Sequence, residues 1–95
     1  MFIVLLQFSD NKAQAGQFMN GHRAWIQRGI DDGVFLLTGS LQPNRGGAIL
    51  ANDTTLSDLE GRVNDDPFVA EKIVTAEILE ITPAKVDERL EFLLG

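Results

Sequence analysis

The chain has 95 residues and a mass of 10.4 kDa, which fits one compact domain over residues 1–95 and excludes two. Apolar residues make up 44% of the sequence and charged residues 23%, so we expect a buried core and not a disordered chain. Eight Lys and Arg against 14 Asp and Glu give a net charge of -6, which argues against nucleic acid or an anionic membrane as a partner. The sequence contains no Cys, which excludes disulfides and thiolate chemistry and agrees with a reducing compartment.

The start of the chain predicts a strand followed by a helix. Residues 2–8 are almost continuously apolar, which is typical of a strand buried on both faces. This run has no basic leader and ends far short of the roughly 18 apolar residues of a membrane span, so we expect a cytoplasmic protein. Ser9, Asp10 or Asn11 can cap a helix that ends between residues 29 and 33. The apolar or small residues with helical spacing are Ala15, Phe18, Met19, His22, Ile26 and Ile30.

The middle of the chain predicts an antiparallel hairpin. Apolar runs at residues 34–38 and 48–51 are separated by a reversal at residues 43–47. Gly39 permits a bulge or a close approach of the backbone. Gly46 and Gly47 match neither glycine-rich phosphate-binding signature, so we interpret them as part of the turn.

The last third predicts two helical segments, a strand and a terminal helix. Thr54 or Thr55 can cap a helix that residues 64–65 interrupt, and Asp66 followed by Pro67 is typical of a new helix start. Residues 73–81 favour a strand, which Pro83 ends. Apolar residues then recur with helical spacing at Val86, Leu90, Leu93 and Leu94.

The predicted order of strand, helix, two strands, helix and strand is the ferredoxin-like α+β arrangement, with helices on one face of an antiparallel sheet. In the first strand, residues 2, 4, 6 and 8 point to one face, whereas Ile3 and Leu5 point to the other. Both faces are therefore apolar, and the face without helices needs a cover. A homodimer packed sheet against sheet is the simplest cover.

His22 is the only histidine and lies on the same helical stripe as Phe18 and Ile26. A carboxylate beside its imidazole would fix the tautomer and favour the protonated form. Such a pair is the smallest set of side chains that supports general acid/base chemistry. Asp66 is the candidate partner, with Asp65 as the neighbouring alternative. The competing interpretation is a core histidine with a purely structural partner.

Gly39 and Ser40 are candidate substrate-binding residues, because they could place a backbone amide and a hydroxyl at a pocket wall. A Ser-His-Asp hydrolase would need three side chains that the sequence offers as Ser40, His22 and Asp66. The G-x-S-x-G motif that presents the nucleophilic serine in many hydrolases is absent. No metal site is expected, since one His and scattered carboxylates form no ligand spacing, and no cofactor signature is present.

Three larger side chains on the first helix each have a structural and a functional interpretation. Trp25 is expected to be a packing residue or an interface anchor. Arg23 and Arg28 flank the helix, where they could attract an anionic substrate or simply be solvated.

The start Met1-Phe2-Ile3-Val4, His22, Asp32-Gly33, Gly39-Ser40-Leu41 and above all Asp65-Asp66-Pro67-Phe68 together resemble the YCII-related (YciI-like) family over nearly the whole chain. This resemblance implies a ferredoxin-like fold that pairs into a dimeric α/β barrel. It also implies a His and Asp pair in a cleft, here His22 and Asp66. Ser40 departs from the Gly-Pro of many relatives. One branch of the family is similar to ring dehydrochlorinases, and related barrels include lactone isomerases and cofactor-free oxygenases.

Taken with the resemblance, the sequence predicts a small enzyme in which His22 and Asp66 carry out isomerisation or elimination on a small, cyclic or carbonyl-containing organic substrate. The alternative is a non-catalytic module that binds a small metabolite or serves only for dimerisation.

Overall fold

Four strands form one antiparallel sheet in the order β2-β3-β1-β4 in the computed structural model, which describes all 95 residues. The strands are β1 Phe2–Phe8, β2 Phe35–Leu41, β3 Gly46–Ala51 and β4 Val74–Glu80. The helices are α1 Ala15–Asp31, α2 Leu56–Asn64 and α3 Pro67–Ala70, with 3₁₀ turns at Lys12–Gln14 and Glu88–Leu94. This order and sheet topology confirm the predicted ferredoxin-like α+β fold.

The core lies between one face of the sheet and the helices. Alternate residues of β1 are buried, as expected for a strand with one face against the helix layer. They pack in a single cluster with Trp25 of α1, Leu59 of α2 and Phe68 of α3. The ring of Trp25 is buried and its Nε1–H donates to the carbonyl of Arg62 at 2.8 Å, so Trp25 is a packing residue that ties α1 to α2.

The entry to α1 differs from the prediction. The helix begins at Ala15 after a 3₁₀ turn, and its N-cap residue Gln14 makes no side-chain cap. Ser9 and Asn11 instead donate side-chain hydrogen bonds to the carbonyl of Lys72. The prediction of a cap at residues 9–11 was wrong because these polar groups hold the loop that precedes β4.

The hairpin is longer than predicted, and its irregularity lies elsewhere. Gly46 and Gly47 belong to β3 and not to the turn, and a Cβ at Gly46 would overlap the carbonyl of Leu6 on the paired strand. The register shift occurs between Phe35 and Leu37, not at Gly39. This shift lets Phe35 and Thr38 both face the helices while Leu37 faces outward, opposite Leu50.

The other predicted elements are found with shifts of a few residues. Thr55 caps α2 by accepting the Asp58 N–H, and Asp66 caps α3 by accepting the Phe68 N–H. The predicted C-terminal helix is a 3₁₀ turn that starts where Asp87 accepts two N–H donors of Arg89. The side chain and then the backbone of Arg89 lower the pKa of the Asp87 carboxyl. No helix is long and apolar enough to cross a bilayer.

Gly29 of α1 sets the distance between this helix and β2. A Cβ at Gly29 would overlap the buried Phe35 ring, which already packs edge-on against Trp25 at 5.0 Å. We therefore expect Gly29→Ala to lower the free energy of unfolding by about 1–3 kcal/mol through overpacking. Gly61 of α2 faces open space, so Gly61→Ala should raise the free energy of unfolding by about 0.5–1 kcal/mol, because Ala has the higher helix propensity. Urea unfolding of both variants checks this, and a Gly29→Ala protein as stable as the parent would contradict the packing argument.

Candidate active site

His22 of α1 and Asp66 at the start of α3 form a hydrogen-bonded pair. The His22 Nδ1 lies 2.8 Å from the Asp66 Oδ1. The Asp66 side chain is completely buried, and the His22 side chain is 14% exposed. The pair joins residues 44 positions apart in the sequence, because α1 and α3 pack side by side. Asp65 is exposed and lies in a different groove, so it is Asp66 that contacts the imidazole.

The Asp66 carboxylate has a second hydrogen-bond donor besides the imidazole. The backbone N–H of Phe68 donates to the same Oδ1 at 3.0 Å. An ionised carboxylate can only accept, so with Asp66 ionised the short contact to His22 is Nδ1–H donating to Oδ1. In the neutral ring the lone pair then lies on Nε2, which has no hydrogen-bond partner within the chain. Asp66 Oδ2 is buried and also has no partner.

The imidazole is held by its face as well as by its edge. The Phe68 ring stacks on it with centroids 4.0 Å apart and an interplanar angle of 4°, and Trp25 lies 5.8 Å away. The close approach of the two elements depends on Gly21, where a Cβ would lie 3.1 Å from the Pro67 side chain. The segment Asp66-Pro67-Phe68 therefore supplies the carboxylate, the tight helix start and the stacking ring.

A pocket of about 380 Å³ lies between α1 and the helix-facing side of the sheet, and His22 is part of its wall. Much of the wall is apolar and includes Leu6, Met19 and Phe68. The polar side chains on the wall are His22, Arg23, Thr38 and Ser40. Gly39 also lines the pocket, and its backbone is the part available for contact. The candidate residues His22, Gly39 and Ser40 thus meet at one cavity, while Asp66 lies behind His22 and does not line it.

Three residues at this site were not predicted as such. Thr38 lies two residues before Ser40 on the same face of β2, so the strand period was the available signal. Arg23 was given two interpretations, attraction of an anionic substrate or plain solvation, without a place at this pocket, and Phe68 was noted only as part of a motif. Their meeting depends on how α1 packs against both β2 and α3, which local spacing does not encode.

A second, larger groove of about 810 Å³ lies away from the His22 and Asp66 pair. Its wall mixes Arg28 and Arg62 with Asp53, Asp58 and Asp65. Arg62 pairs with Asp32 at 2.9 Å, and both side chains are partly exposed. No group of three or more His, Asp or Glu side chains is arranged to hold a metal ion. The smaller pocket is the candidate site, because its wall contains His22, which is bonded to a buried carboxylate.

Comparison with known proteins supports the fold. No protein-family description and no curated protein matches this sequence. Among solved structures, the chain is similar to the 5-chloro-2-hydroxyhydroquinone dehydrochlorinase TftG from Burkholderia phenoliruptrix AC1100, in a complex with 2,5-dihydroxybenzoquinone. The TM-score is 0.69 at 10% sequence identity, and the match covers 94% of this chain and 98% of that chain. At this identity the similarity establishes a shared fold.

The buried pair is expected to be strongly coupled in stability. His22→Ala removes one of the two donors to the buried Asp66 Oδ1, and Asp66→Ala leaves the His22 Nδ1–H without its acceptor, whereas the double variant removes both groups. The double variant should therefore lose less stability than the sum of the single variants, by about 1.5–3 kcal/mol. The exposed Arg62 and Asp32 pair is the matched control, with a coupling below about 1 kcal/mol. Urea unfolding of the two double-mutant cycles measures both values, and additive losses at His22 and Asp66 would contradict the bond.

Proposed function

We propose that this protein is a cofactor-independent acid/base enzyme in which His22 transfers a proton on a small, cyclic organic substrate bound in the 380 Å³ pocket. The observation that carries the proposal is the single 2.8 Å bond from the His22 Nδ1 to a fully buried carboxylate. That bond occupies one ring nitrogen and leaves Nε2 free on a side chain that lines the pocket.

The proposed step begins with neutral His22, protonated on Nδ1. The Nε2 lone pair takes a proton from a carbon next to a carbonyl group, and the electrons of that C–H bond form an enolate. The imidazolium is stabilised by Asp66, whose negative charge is close and shielded from water. Return of the proton to another atom completes an isomerisation, whereas loss of a leaving group from the enolate completes an elimination. Proton transfer of this kind contributes a factor of about 10²–10⁴ to the rate.

The size and lining of the pocket support a small ring as the substrate. Its volume lies at the lower end of the range of about 300–1,000 Å³ that ligand pockets cover. Apolar side chains such as Leu6 and Met19 can pack against the faces of a ring, and Ser40 and the Gly39 backbone can form hydrogen bonds with its oxygen atoms. The TftG structure with a similar fold holds 2,5-dihydroxybenzoquinone, a compound of this size and type.

An exchange assay tests the proposed chemistry without knowledge of the natural product. The protein is incubated in D₂O with 2,5-dihydroxybenzoquinone, cyclic 1,3-diketones and lactones, and loss of the C–H signals is followed by proton NMR. We expect exchange above the buffer rate for at least one compound. His22→Gln should lower that rate by about 10²–10⁴-fold, because Gln keeps an N–H donor for Asp66 but offers no base.

Asp66→Asn separates the charge of the carboxylate from its geometry. The Phe68 N–H needs an acceptor, so the Asn oxygen should stay in place and keep the His22 ring oriented. Exchange should then fall between the parent and His22→Gln rates, with circular dichroism unchanged. A parent without exchange, or a His22→Gln variant as fast as the parent, would contradict catalysis. Ligand-dependent stabilisation without exchange would favour the binding-module alternative.

We further propose that a second copy covers the face of the sheet without helices. One row of side chains across all four strands is apolar and consists of Leu37, Leu50, Ile3 and Leu79. Leu37 and Leu79 are 59% and 41% exposed. Glu77 is the only charged residue among the positions of this face, although the whole chain carries a net charge of -6. A two-fold contact pairs one patch with itself, so a face with a single carboxylate limits the repulsion between copies.

Light scattering after size exclusion tests the dimer. The parent should have twice the mass of the chain at micromolar concentration. Leu79→Asp should give a folded monomer, because it places a charge in the apolar row. Leu56→Asp is the matched control, since Leu56 is also 41% exposed but lies on α2, and this variant should remain a dimer. A monomeric parent would overturn the proposal.

A further inference from the structure

The pocket that contains His22 has no carboxylate side chain on its wall. This is notable in a chain with 14 Asp and Glu against eight Lys and Arg. The larger groove carries three Asp side chains, whereas the polar side chains of the pocket are His22, Arg23, Thr38 and Ser40. Arg is only a donor, and the Ser and Thr hydroxyls can each donate a hydrogen bond, while neutral His22 offers its Nε2 lone pair. The wall is therefore able to surround an acceptor-rich ligand with donors.

Arg23 is the fixed positive charge of this wall. It takes part in none of the ion pairs of the structure, which are His22 with Asp66, Arg62 with Asp32, and Arg89 with Asp87. Its side chain, like those of Arg28 and Arg45, makes no side-chain hydrogen bond within the chain, whereas Arg62 and Arg89 both do. Among these unpaired Arg residues, Arg23 is the one that lines the pocket. The guanidinium is permanently charged, and its planar fork of N–H groups matches the two oxygens of a carboxylate.

The overall charge of the protein makes this local arrangement significant. A net charge of -6 disfavours the approach of anions to an average patch of the surface. A pocket that keeps an unpaired Arg and excludes carboxylates reverses that preference locally. Arg23 is exposed to solvent, which screens its charge. A ligand that lies on the apolar residues Leu6, Met19 and Phe68 displaces part of that water and so strengthens its attraction to Arg23.

We infer that Arg23 is a specificity-determining residue that selects small cyclic organic anions, through a carboxylate or an ionised ring hydroxyl of the ligand. Thr38 and Ser40 of β2 donate to further oxygens from the opposite wall, and the ring lies against the apolar residues. The inference rests on the proposed function for the location of the substrate, but it concerns binding and not proton transfer.

Equilibrium binding to matched pairs of compounds tests the inference. The probes are small cyclic acids and their neutral carboxamides, such as 4-hydroxybenzoate with 4-hydroxybenzamide, titrated at millimolar concentrations. A second pair is 2,5-dihydroxybenzoquinone and its neutral dimethyl ether. Dissociation constants are measured by NMR titration in the parent, Arg23→Gln, Arg23→Lys and Arg28→Gln. Arg28→Gln is the matched control, because Arg28 lies on the same helix but lines the other groove.

We expect the parent to bind an acid about tenfold more tightly than its neutral counterpart, which corresponds to about 1.4 kcal/mol. Arg23→Gln should abolish this preference and leave binding of the neutral compound within about twofold, while Arg23→Lys should keep part of it. Arg28→Gln should behave as the parent. The inference is overturned if no acid binds, if the neutral compounds bind as well as the acids in the parent, or if the preference survives in Arg23→Gln.

His22→Gln distinguishes failure of this inference from failure of the proposed catalysis. If the acid preference persists in His22→Gln and is lost in Arg23→Gln, Arg23 and not the imidazole is its source. If that pattern is found and the parent shows no exchange of C–H groups, the protein binds anions but does not catalyse proton transfer. Exchange that depends on His22, together with an acid preference that survives in Arg23→Gln, would leave the catalysis and overturn the role of Arg23.

Discussion

The carboxylate of Asp66 is the group on which the site depends. One oxygen accepts both the His22 Nδ1–H and the Phe68 backbone N–H, so the side chain that orients the imidazole also caps α3. A fully buried carboxylate is costly unless it is paired and hydrogen-bonded, and these two donors offset part of that cost. Because the cap is a backbone contact, it fixes the carboxylate relative to the chain. The position of the His22 ring is therefore coupled to the start of α3, and a change in either element alters the other.

Phe68 adds a constraint that the hydrogen bond alone does not provide. A single bond at Nδ1 leaves the ring free to tilt about that contact, whereas the parallel stack at 4.0 Å fixes its plane. The stack needs α1 and α3 to be close, and the tight contact between Gly21 and Pro67 allows this approach. A general base is effective only when its lone pair has a defined direction, so this packing is relevant to chemistry as well as to stability.

The sequence predicted the elements well where a pattern is local and less well where a residue serves a distant contact. The bounds of β1 were predicted correctly, because seven consecutive residues carry a clear signal. Asp66 followed by Pro67 correctly indicated the start of α3, since both residues act within one turn. The cap at residues 9–11 failed because Ser9 and Asn11 bind the carbonyl of Lys72, more than 60 positions away. Gly46 was assigned to a turn because its close contact with the Leu6 carbonyl exists only after β1 and β3 pair.

The same distinction applies to the candidate site. His22 was identified by its place on a helical stripe, whereas the helix start indicated only a cap at Asp66. The resemblance implied that the two residues pair, because their contact needs the packing of two helices, which spacing does not encode. Arg23, Thr38 and Ser40 come from α1 and β2, and only the assembled fold gives them one cavity. The distribution of charge is the clearest example of a property that composition does not predict. A net charge of -6 describes the whole surface, while the two cavities differ in carboxylate content because the acidic side chains line only the larger one. The field that a ligand meets is therefore set by which residues the fold brings together, and composition alone does not predict it.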